Sequence, residues 1–136
     1  MLDTTFLIVA DRSGSVLDDI IDDEDDVAIA AVTVAELLVG VELSDGEHRP
    51  ARQRFVDDIS TTIPIVSYDA TVASSHAQLL VATRRQGRQR GAHDLIIAAT
   101  ARATQREVLS ADLSTFEDLP GVICRPQAIV RYERPT

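Results

Sequence analysis

The sequence predicts an α/β fold, a three-layer sandwich in which a central parallel β-sheet of about five strands is flanked by helices. Two observations carry this prediction. Short apolar runs alternate along the chain with longer segments of helical periodicity, the pattern of a parallel sheet whose strands are joined by crossover helices. The 136 residues are 45% hydrophobic and 26% charged, which is the composition of a globular protein. At this length, residues 1–136 are expected to form one domain.

In the first part of the chain, two strands and a helix are expected. Residues 1–2 begin a short first strand, which ends at Asp3. The run VAIAAV at 27–32 is apolar and partly β-branched, as a buried strand is. Thr33 follows it, and Glu36 comes three residues later, which is the spacing of a capping box. We therefore expect Thr33 to start a helix that ends near the sequence SDG.

The remaining elements continue the alternation of helix and strand. In order they are a polar helix, a strand, a long helix opened by Asp69 or Thr71, an apolar helix and two short strands, at 50–59, 63–68, 69–86, 94–103, 108–111 and 122–124. Gly87 is expected to stop the long helix, because glycine readily adopts the left-handed conformation of a helix end. The helix at 94–103 is apolar on every side, so its neighbours should enclose it.

Charge restricts the classes of partner. A net charge of −9 disfavours broad contact with nucleic acid, which relies on basic side chains. All thirteen basic residues, however, are arginine, and nine of them lie at 49–106. The run RRQGRQR holds four, Arg84, Arg85, Arg88 and Arg90. These arginines either complement the negative end of a helix dipole or contact phosphate, to which the guanidinium fork is suited.

The sequence also bears on the compartment. Cys124 is the only cysteine, so the chain has no internal disulfide and a reducing compartment is expected. No apolar stretch is long enough to span a membrane, and the apolar start lacks the basic residues of a signal peptide. We therefore expect a cytoplasmic protein without membrane contact. The acidic run at 18–26 lacks the ligand spacing and the glycine of an EF-hand and is interpreted as a solvated surface.

Four acids fall where this fold brings side chains together. Asp3 and Asp112 each follow a strand, and Glu36 lies in the first turn of the helix after another strand. Asp94 stands at the start of the apolar helix. Sites in parallel sheets lie beyond the carboxyl ends of the strands. We therefore expect the four carboxylates to gather at one edge of the sheet.

A cluster of ionised carboxylates is unfavourable, because each raises the pKa of the next. A divalent cation removes this penalty, and an all-oxygen site without Cys or His favours Mg²⁺ or Mn²⁺. Such an ion can hydrolyse phosphodiesters by polarising the phosphoryl oxygen and activating water. We expect hydroxyl groups beside the acids to support the site. They belong to Thr4, Thr5 and Ser110.

Each acid also has a structural explanation. Asp94 taken alone is a good helix cap. Glu36 is equally well the second member of a capping box, and Asp3 and Asp112 can form turns at strand ends. The metal site is favoured by the joint occurrence of the four at positions that the topology brings together. His93, the only histidine near them, is assigned no role.

Four stretches, taken in order, carry a family resemblance: LDTTFLI at 2–8, TVAELLVGV at 33–41, the stretch 87–101 that ends in HDLIIAATA, and VLSADLSTFEDLPGV at 108–122. With them the chain resembles the PIN-domain ribonucleases, and specifically the VapC-type toxins of type II toxin–antitoxin pairs. The resemblance implies a PIN-like fold. It also implies that the residues at the family's acidic positions bind Mg²⁺ or Mn²⁺ and carry the catalysis. Here these are Asp3, Glu36, Asp94 and Asp112.

The resemblance further implies metal-dependent cleavage of RNA, often a structured tRNA or ribosomal RNA, by a homodimer that a cognate VapB-like antitoxin inhibits. The arginines at 84–90 are then candidate RNA contacts. The helix at 33–43 and a helix near 15–21 are expected to form a groove for an amphipathic antitoxin helix.

The chain departs from the family pattern in three respects. Only two residues precede Asp3, which leaves open a start upstream of Met1. The position that reads T-x-D in the family is Ser110-Ala111-Asp112 here, without the nearby arginine or asparagine. The acidity of residues 18–26 is not a family feature.

Two other functions stay open. One is a non-catalytic PIN-like module that binds RNA or protein. The other is a phosphoryl-transfer domain, either a receiver or a phosphatase. A receiver needs a lysine near its aspartate, and the chain has none. The phosphatase pattern needs two aspartates near the first strand, and the sequence DTTF holds one.

Overall fold

The computed structural model describes residues 1–12 and 26–126. Helices and short strands alternate along these residues. They are α1 (Thr4–Arg12), β1 (Ile29–Ala30), α2 (Ala31–Glu42), α3 (Arg49–Thr62), β2 (Ile65–Val66), α4 (Ala70–Gln86), α5 (Ala92–Ala103), β3 (Val108–Ser110), the 3₁₀ turn Leu113–Thr115 and β4 (Cys124–Pro126). The helix expected near 15–21 and all but the last residue of the acidic run lie outside the described residues.

The strands form two parallel pairs, which the first residues of the chain connect. β1 pairs with β2, and β3 pairs with β4. The Leu2 N–H donates to the carbonyl of Ala28 (3.0 Å), and the Leu109 N–H donates to the carbonyl of Met1 (2.8 Å). Leu2 also forms a parallel bridge with Leu109. The order across the sheet is therefore β2, β1, residues 1–3, β3 and β4.

The strands are shorter than the sequence predicts. Of the runs at 27–32 and 63–68, two residues each are paired as strands. The first segment makes a single bridge rather than a regular strand. Among the described residues the sheet therefore has fewer regular strands than expected, although the parallel arrangement of its segments is confirmed.

Two hydrophobic cores, one on each face of the sheet, account for the three layers. Alternate residues of the central segments enter opposite cores, as the two-residue period of a strand requires. Met1 and Ala28 contribute to one core, whereas Leu2 and Ile29 contribute to the other. α4 and α5 complete the first core, and α1, α2 and α3 complete the second. The predicted α/β sandwich of three layers is confirmed.

The start of α2 differs from the sequence prediction. Ala31, expected in a strand, begins the helix, so Thr33 is its third residue. Ala30 is the N-cap and makes no side-chain cap hydrogen bond. The prediction of a capping box is therefore wrong, and Glu36 lies in the second turn of α2 rather than the first. The buried Thr33 side chain instead approaches the Thr4 hydroxyl group, with 3.5 Å between the two oxygens.

α5 begins two residues earlier than expected, at Ala92. Gly91 precedes it as the N-cap, so Asp94 is the third helical residue and does not cap the helix. The explanation of Asp94 as a cap is therefore wrong. The expected enclosure of this helix is confirmed, since its central residues are buried. They are Leu95, Ile97, Ala98, Ala99, Thr100 and Ala101.

The ends of α4 agree with the sequence. Asp69 is the N-cap, and its Oδ1 accepts a hydrogen bond from the Val72 N–H (2.9 Å). Gly87 follows the last turn with a φ of 65°, in the left-handed region. The polar helix also forms, over Arg49–Thr62 rather than 50–59. In the part of the chain that is described, no helix combines the length and the apolar character needed to cross a membrane.

Candidate active site

Asp3 is a buried carboxylate at the end of the central segment of the sheet. It is 2% exposed, and its backbone N–H donates to the carbonyl of Leu109 (3.2 Å). The Asp3 Oδ1 accepts a hydrogen bond from the Phe6 N–H (2.7 Å) in the first turn of α1. Its Oδ2 accepts a hydrogen bond from the Ser110 hydroxyl group (2.5 Å). Both carboxylate oxygens are therefore held by neighbouring groups.

Ser110 joins Asp3 to Asp112 at the end of β3. The Ser110 Oγ also accepts a hydrogen bond from the Asp112 N–H (3.0 Å). The exposed Asp112 carboxylate accepts hydrogen bonds from the N–H (3.1 Å) and the hydroxyl group (2.7 Å) of Ser114. It also accepts one from the Thr115 hydroxyl group (3.1 Å). The hydrogen bonds from Ser114 and Thr115 hold the pKa of Asp112 below its ordinary value, so this acid stays ionised at neutral pH.

Glu36 reaches the same edge of the sheet from α2. Its Oε1 accepts a hydrogen bond from the Thr4 hydroxyl group (2.8 Å). Its Oε2 lies 3.7 Å from Nδ1 of His93, the second residue of α5. Glu36 is thus held between the start of α1 and the start of α5.

Asp94 is half-buried at the start of α5, and its surroundings disfavour its charge. Burial raises the pKa of Asp94, and the charges of Glu36 and Asp112 raise it further, although His93 opposes them. Burial also raises the pKa of Asp3, against its hydrogen bonds, and the charges of Asp94 and Asp112 add to this effect. Asp94 therefore interacts electrostatically with each of the other three acids.

The four sequence-predicted acids thus come from four separate segments and meet at one edge of the sheet. Carboxylate oxygens suit a hard divalent cation. Burial raises the pKa values of Asp3 and Asp94, and the charges of neighbouring acids raise them further. In the conformation described for residues 1–12 and 26–126, no group of three or more His, Cys, Asp or Glu side chains forms a ready metal site. The carboxylates of Asp3 and Asp112 accept hydrogen bonds and, with about four lone-pair sites each, keep acceptor capacity for an ion.

The four arginines of the RRQGRQR run divide into two pairs. Arg84 and Arg85 lie exposed in the last turn of α4, where cations complement the helix dipole. Arg88 and Arg90 instead donate hydrogen bonds to backbone carbonyls of the turn that follows β3. The run therefore combines a basic helix end with a set of loop contacts.

A cleft of about 210 Å³ opens beside Asp94. Its lining combines arginines, a glycine, an acid and two hydroxyl residues. They are Arg88, Gln89, Arg90, Gly91, Asp94, Ser114 and Thr115. Thr5, the third sequence-predicted hydroxyl residue, is exposed on α1, and its side chain makes no hydrogen bond to any described residue. Thr4 and Ser110, in contrast, contact the acids directly.

Sequence reasoning missed two residues of this site, His93 and Gly91. His93 pairs with Glu36, and its place directly before Asp94 was the available signal. Gly91 lies against the Asp94 side chain, and a glycine immediately before a helix was the signal there. Neither signal identifies a role without the positions of the neighbouring elements.

Gly91→Ala is expected to displace the Asp94 carboxylate without unfolding the protein. A Cβ atom at Gly91 would lie 2.5 Å from the Asp94 Oδ2, so the flexible end of that side chain must move. The φ of −59° suits alanine, so the backbone tolerates the change. We expect the melting temperature to stay near that of the wild type. The Mn²⁺ affinity measured by calorimetry should fall about 10- to 100-fold, the scale for disturbing the orientation of a metal ligand.

The matched control is Gly46→Ala, because no atom lies within 4 Å of a Cβ placed at Gly46. It should leave both the melting temperature and the Mn²⁺ affinity unchanged. Equal Mn²⁺ affinity in Gly91→Ala and the wild type would show that the position of Asp94 does not matter for the metal.

Comparison with known proteins covers nearly the whole chain. The model of the PIN domain family matches residues 1–122, a span that contains all four acids. The chain is similar to a tRNA(fMet)-specific endonuclease VapC of Shigella flexneri, with 28% identity over 124 residues, 90% of this chain and 92% of that protein.

Two solved structures are also similar. One is VapBC2 of Rickettsia felis bound to a DNA fragment from their promoter, with a TM-score of 0.85 and 21% identity over 94% of this chain and 98% of that chain. The other is VapBC-5 of Mycobacterium tuberculosis, a member of the VapBC family of toxin-antitoxin systems. It has a TM-score of 0.75 and 26% identity over 93% of this chain and 96% of that chain.

Proposed function

Because this chain belongs to the PIN domain family, we propose that it is an endoribonuclease toxin of a VapBC-type toxin–antitoxin pair that hydrolyses RNA phosphodiester bonds with Mg²⁺ or Mn²⁺. The observation that carries the proposal is the meeting of four carboxylates from four segments at one edge of the sheet. The similarity to a tRNA(fMet)-specific endonuclease supports structured RNA as the substrate, with tRNA before ribosomal RNA. The proposal includes a homodimer and a cytoplasmic location, where tRNA is present.

Asp3 and Asp94 are the residues proposed to hold the metal ion, together with Glu36 and Asp112. Their environment fits a cation, since positive charge between them would offset the burial and repulsion that raise the pKa values of Asp3 and Asp94. When bound, the ion supplies positive charge to the phosphoryl and leaving oxygens of the scissile bond.

The hydroxyl groups beside the acids orient the carboxylates by donating hydrogen bonds to them. The Ser110 hydroxyl donates to the Asp3 carboxylate, and the Thr4 hydroxyl donates to that of Glu36. Each bond limits the rotamers of an acid before substrate binds, which lowers the entropy that must be lost at the reacting centre. Thr5, exposed one residue further along α1, is left as a supporting hydroxyl for solvent or substrate.

Arg84 and Arg85 are the arginines proposed to contact the RNA backbone. Both are exposed at the end of α4, and guanidinium groups bind phosphate in a bidentate manner. An unpaired loop of a structured RNA is the expected target, because the deep major groove of an RNA duplex is closed to side chains.

The test of the proposal is incubation of the purified protein with total tRNA and ribosomal RNA in Mg²⁺, followed by sequencing of the new RNA ends. The wild type should give discrete fragments that map to one or a few loops. No cleavage by the wild type would contradict the proposal, and so would cleavage that a substitution of Asp94 leaves intact.

We propose a second cleft, of about 260 Å³ between α1, α2 and α3, as the binding site of a VapB-like antitoxin. Its lining mixes apolar and charged residues. They are Ile8, Asp11, Arg12, Glu36, Leu37, Gly40, Arg52, Phe55 and Val56. An amphipathic helix can place its apolar side chains in such a groove. Because Glu36 belongs to this cleft and to the acidic edge, a basic residue of the bound helix can approach the acids.

Phe55→Ala is expected to weaken antitoxin binding about 10-fold or more, as truncation of a buried aromatic anchor does at an interface. Phe55 is half-buried in the wall of the cleft. The measurement is calorimetry with the product of the adjacent upstream gene. Leu38→Ala is the control, since Leu38 is 39% exposed on α2 and does not line the cleft. Equal affinity of the wild type and Phe55→Ala would place the antitoxin elsewhere.

One observation favours the non-catalytic alternative, namely that no three acids of the described residues form a ready metal site. Such a module would bind RNA or protein without a metal ion. Calorimetric titration decides between the two functions, because the nuclease must bind Mg²⁺ or Mn²⁺. A flat titration with both ions would favour the binding module.

A further inference from the structure

The loop between α4 and α5 is bonded to the turn that follows β3. Three side chains at the end of α4 and in the loop donate hydrogen bonds to carbonyls of that turn. Gln86 donates to Asp118 (2.7 Å) and Arg88 donates to Ser114 (2.7 Å). Arg90 donates through Nη1 to the carbonyl of Thr115 (2.8 Å) and through Nη2 to that of Glu117.

The same turn holds the carboxylate of Asp112. Its oxygens accept hydrogen bonds from the backbone and side chain of Ser114 and from the side chain of Thr115. Thr115 therefore bonds Asp112 through its hydroxyl group and Arg90 through its carbonyl. One residue, Thr115, therefore connects the Arg90 guanidinium group to the Asp112 carboxylate.

Arg90 also directly precedes Gly91, which contacts the Asp94 side chain. The Asp94 Oδ2 lies against the Cα of Gly91 so closely that a Cβ there would be 2.5 Å away. Arg90 and Gly91 thus lie beside both acids. The Arg90 guanidinium group bonds the turn that holds Asp112, and Gly91, which has no side chain, leaves room for the Asp94 carboxylate.

We propose that Arg90 is a positioning residue, whose guanidinium group fixes the turn that orients Asp112 relative to Asp94. This role rests on the proposed nuclease function, in which Asp112 and Asp94 hold a common metal ion. It differs from the role of an RNA contact, since both terminal nitrogens of Arg90 donate to the protein's own backbone.

The chemistry of arginine explains why this residue type is needed. A guanidinium group presents its N–H donors in a rigid fork and can bridge two carbonyls two residues apart. A lysine ammonium keeps the charge, but its three donors share one nitrogen at the end of a flexible chain and lack the planar fork. Arg90→Lys therefore separates the bridging function from the charge.

The experiment compares Arg90→Ala and Arg90→Lys with the wild type by three measurements. The first is the exchange rate of the Ser114 amide proton by NMR, which needs neither metal nor RNA. The second is the Mn²⁺ affinity by calorimetry. The third is kcat and KM for tRNA cleavage. Arg54→Ala is the control, because Arg54 is exposed on α3 and its side chain makes no hydrogen bond to any described residue.

Both Arg90 variants should show faster exchange at Ser114 and a Mn²⁺ affinity that is lower by about 10- to 100-fold, the usual effect of losing a residue that orients a metal ligand. In both, kcat should fall while KM stays near that of the wild type. Combining Arg90→Ala with Asp112→Asn should lower the Mn²⁺ affinity no further than Asp112→Asn alone. Arg54→Ala should match the wild type in all three measurements.

Two results would overturn the proposal. The first is unchanged exchange at Ser114 in both variants, because the turn would then be held without Arg90. The second is recovery by Arg90→Lys together with a raised KM in Arg90→Ala, which is the behaviour of an RNA contact. If the wild type cleaves no RNA, the nuclease function fails, and the exchange rate of Ser114 still decides whether Arg90 fixes the turn.

Discussion

Asp94→Asn is expected to reduce RNA cleavage by at least about 100-fold in kcat/KM, the upper end of the effect of losing even an indirect metal partner. Asparagine keeps the shape of aspartate but lacks the charge that holds a cation. Asp94 is also the acid that interacts with the other three, so its loss affects the charge balance of the whole site.

The same substitution should leave the metal-free protein folded and raise its melting temperature. Asp94 does not cap α5, so the helix loses no cap hydrogen bond. Burial and the charges of Glu36 and Asp112 raise the pKa of Asp94, which means that folding disfavours the ionised form. A neutral amide removes this cost at neutral pH. A large loss of function with a gain in stability distinguishes an active-site acid from a structural one.

The measurements are single-turnover cleavage of tRNA and thermal unfolding in a chelator. Asp58→Asn is the matched control, because Asp58 is exposed on α3, far along the chain from the four acids, and its replacement removes the same charge. A variant of Asp94 that cleaves as fast as Asp58→Asn, or that melts well below the wild type, would assign Asp94 to the scaffold.

Removal of divalent ions should abolish cleavage altogether, and Mn²⁺ or Mg²⁺ should restore it. The added ion should also raise the melting temperature, because a ligand that binds only the folded state stabilises it by mass action. With free ion at about 100 times its Kd, this stabilisation is about 2.7 kcal/mol. Cleavage that persists after exhaustive chelation would exclude a role of the metal ion in the reaction.

The effect of the metal should weaken as the pH falls. An ion binds the ionised carboxylates of Asp3 and Asp94, whose pKa values lie above the ordinary 3.8. Without metal, the folded chain therefore holds more protons than the unfolded chain between about pH 3.8 and the raised values. The contribution of these two acids to the free energy of unfolding thus falls as the pH rises through that window. Melting curves in chelator and in Mn²⁺ should diverge as the pH increases, and parallel curves would contradict the assignment.

Most of the fold follows from local signals in the sequence. Asp69 and Gly87 mark the ends of α4 because a cap and a left-handed glycine act within a few residues. The start of α2 is not predictable in this way. Thr33 and Glu36 have the spacing of a capping box, which places the start of the helix at Thr33, although it lies at Ala31. Pairing of β1 with β2 involves only two residues, so the helix begins earlier and the threonine is buried.

The placement of the four acids is also predictable, since strand ends and helix starts meet at one edge of a parallel sheet, whereas their role as metal ligands stays a prediction. The partners of Arg88 and Arg90 are not. They are backbone carbonyls, which every residue carries, so no residue type in the sequence marks them. The charge of these arginines suggests a ligand, whereas their bonds in the structure are internal.

The central place of residues 1–3 in the sheet has a consequence for the order of assembly. The Ser110 hydroxyl group that fixes Asp3 is 107 positions away along the chain. Contacts of such separation form late, because a long loop must close before they contribute. During synthesis, residues 1–3 emerge first but cannot pair with β3 until that strand has been made. The acidic edge is therefore incomplete on the ribosome until most of the chain has emerged, and the nascent protein passes through synthesis without a finished site.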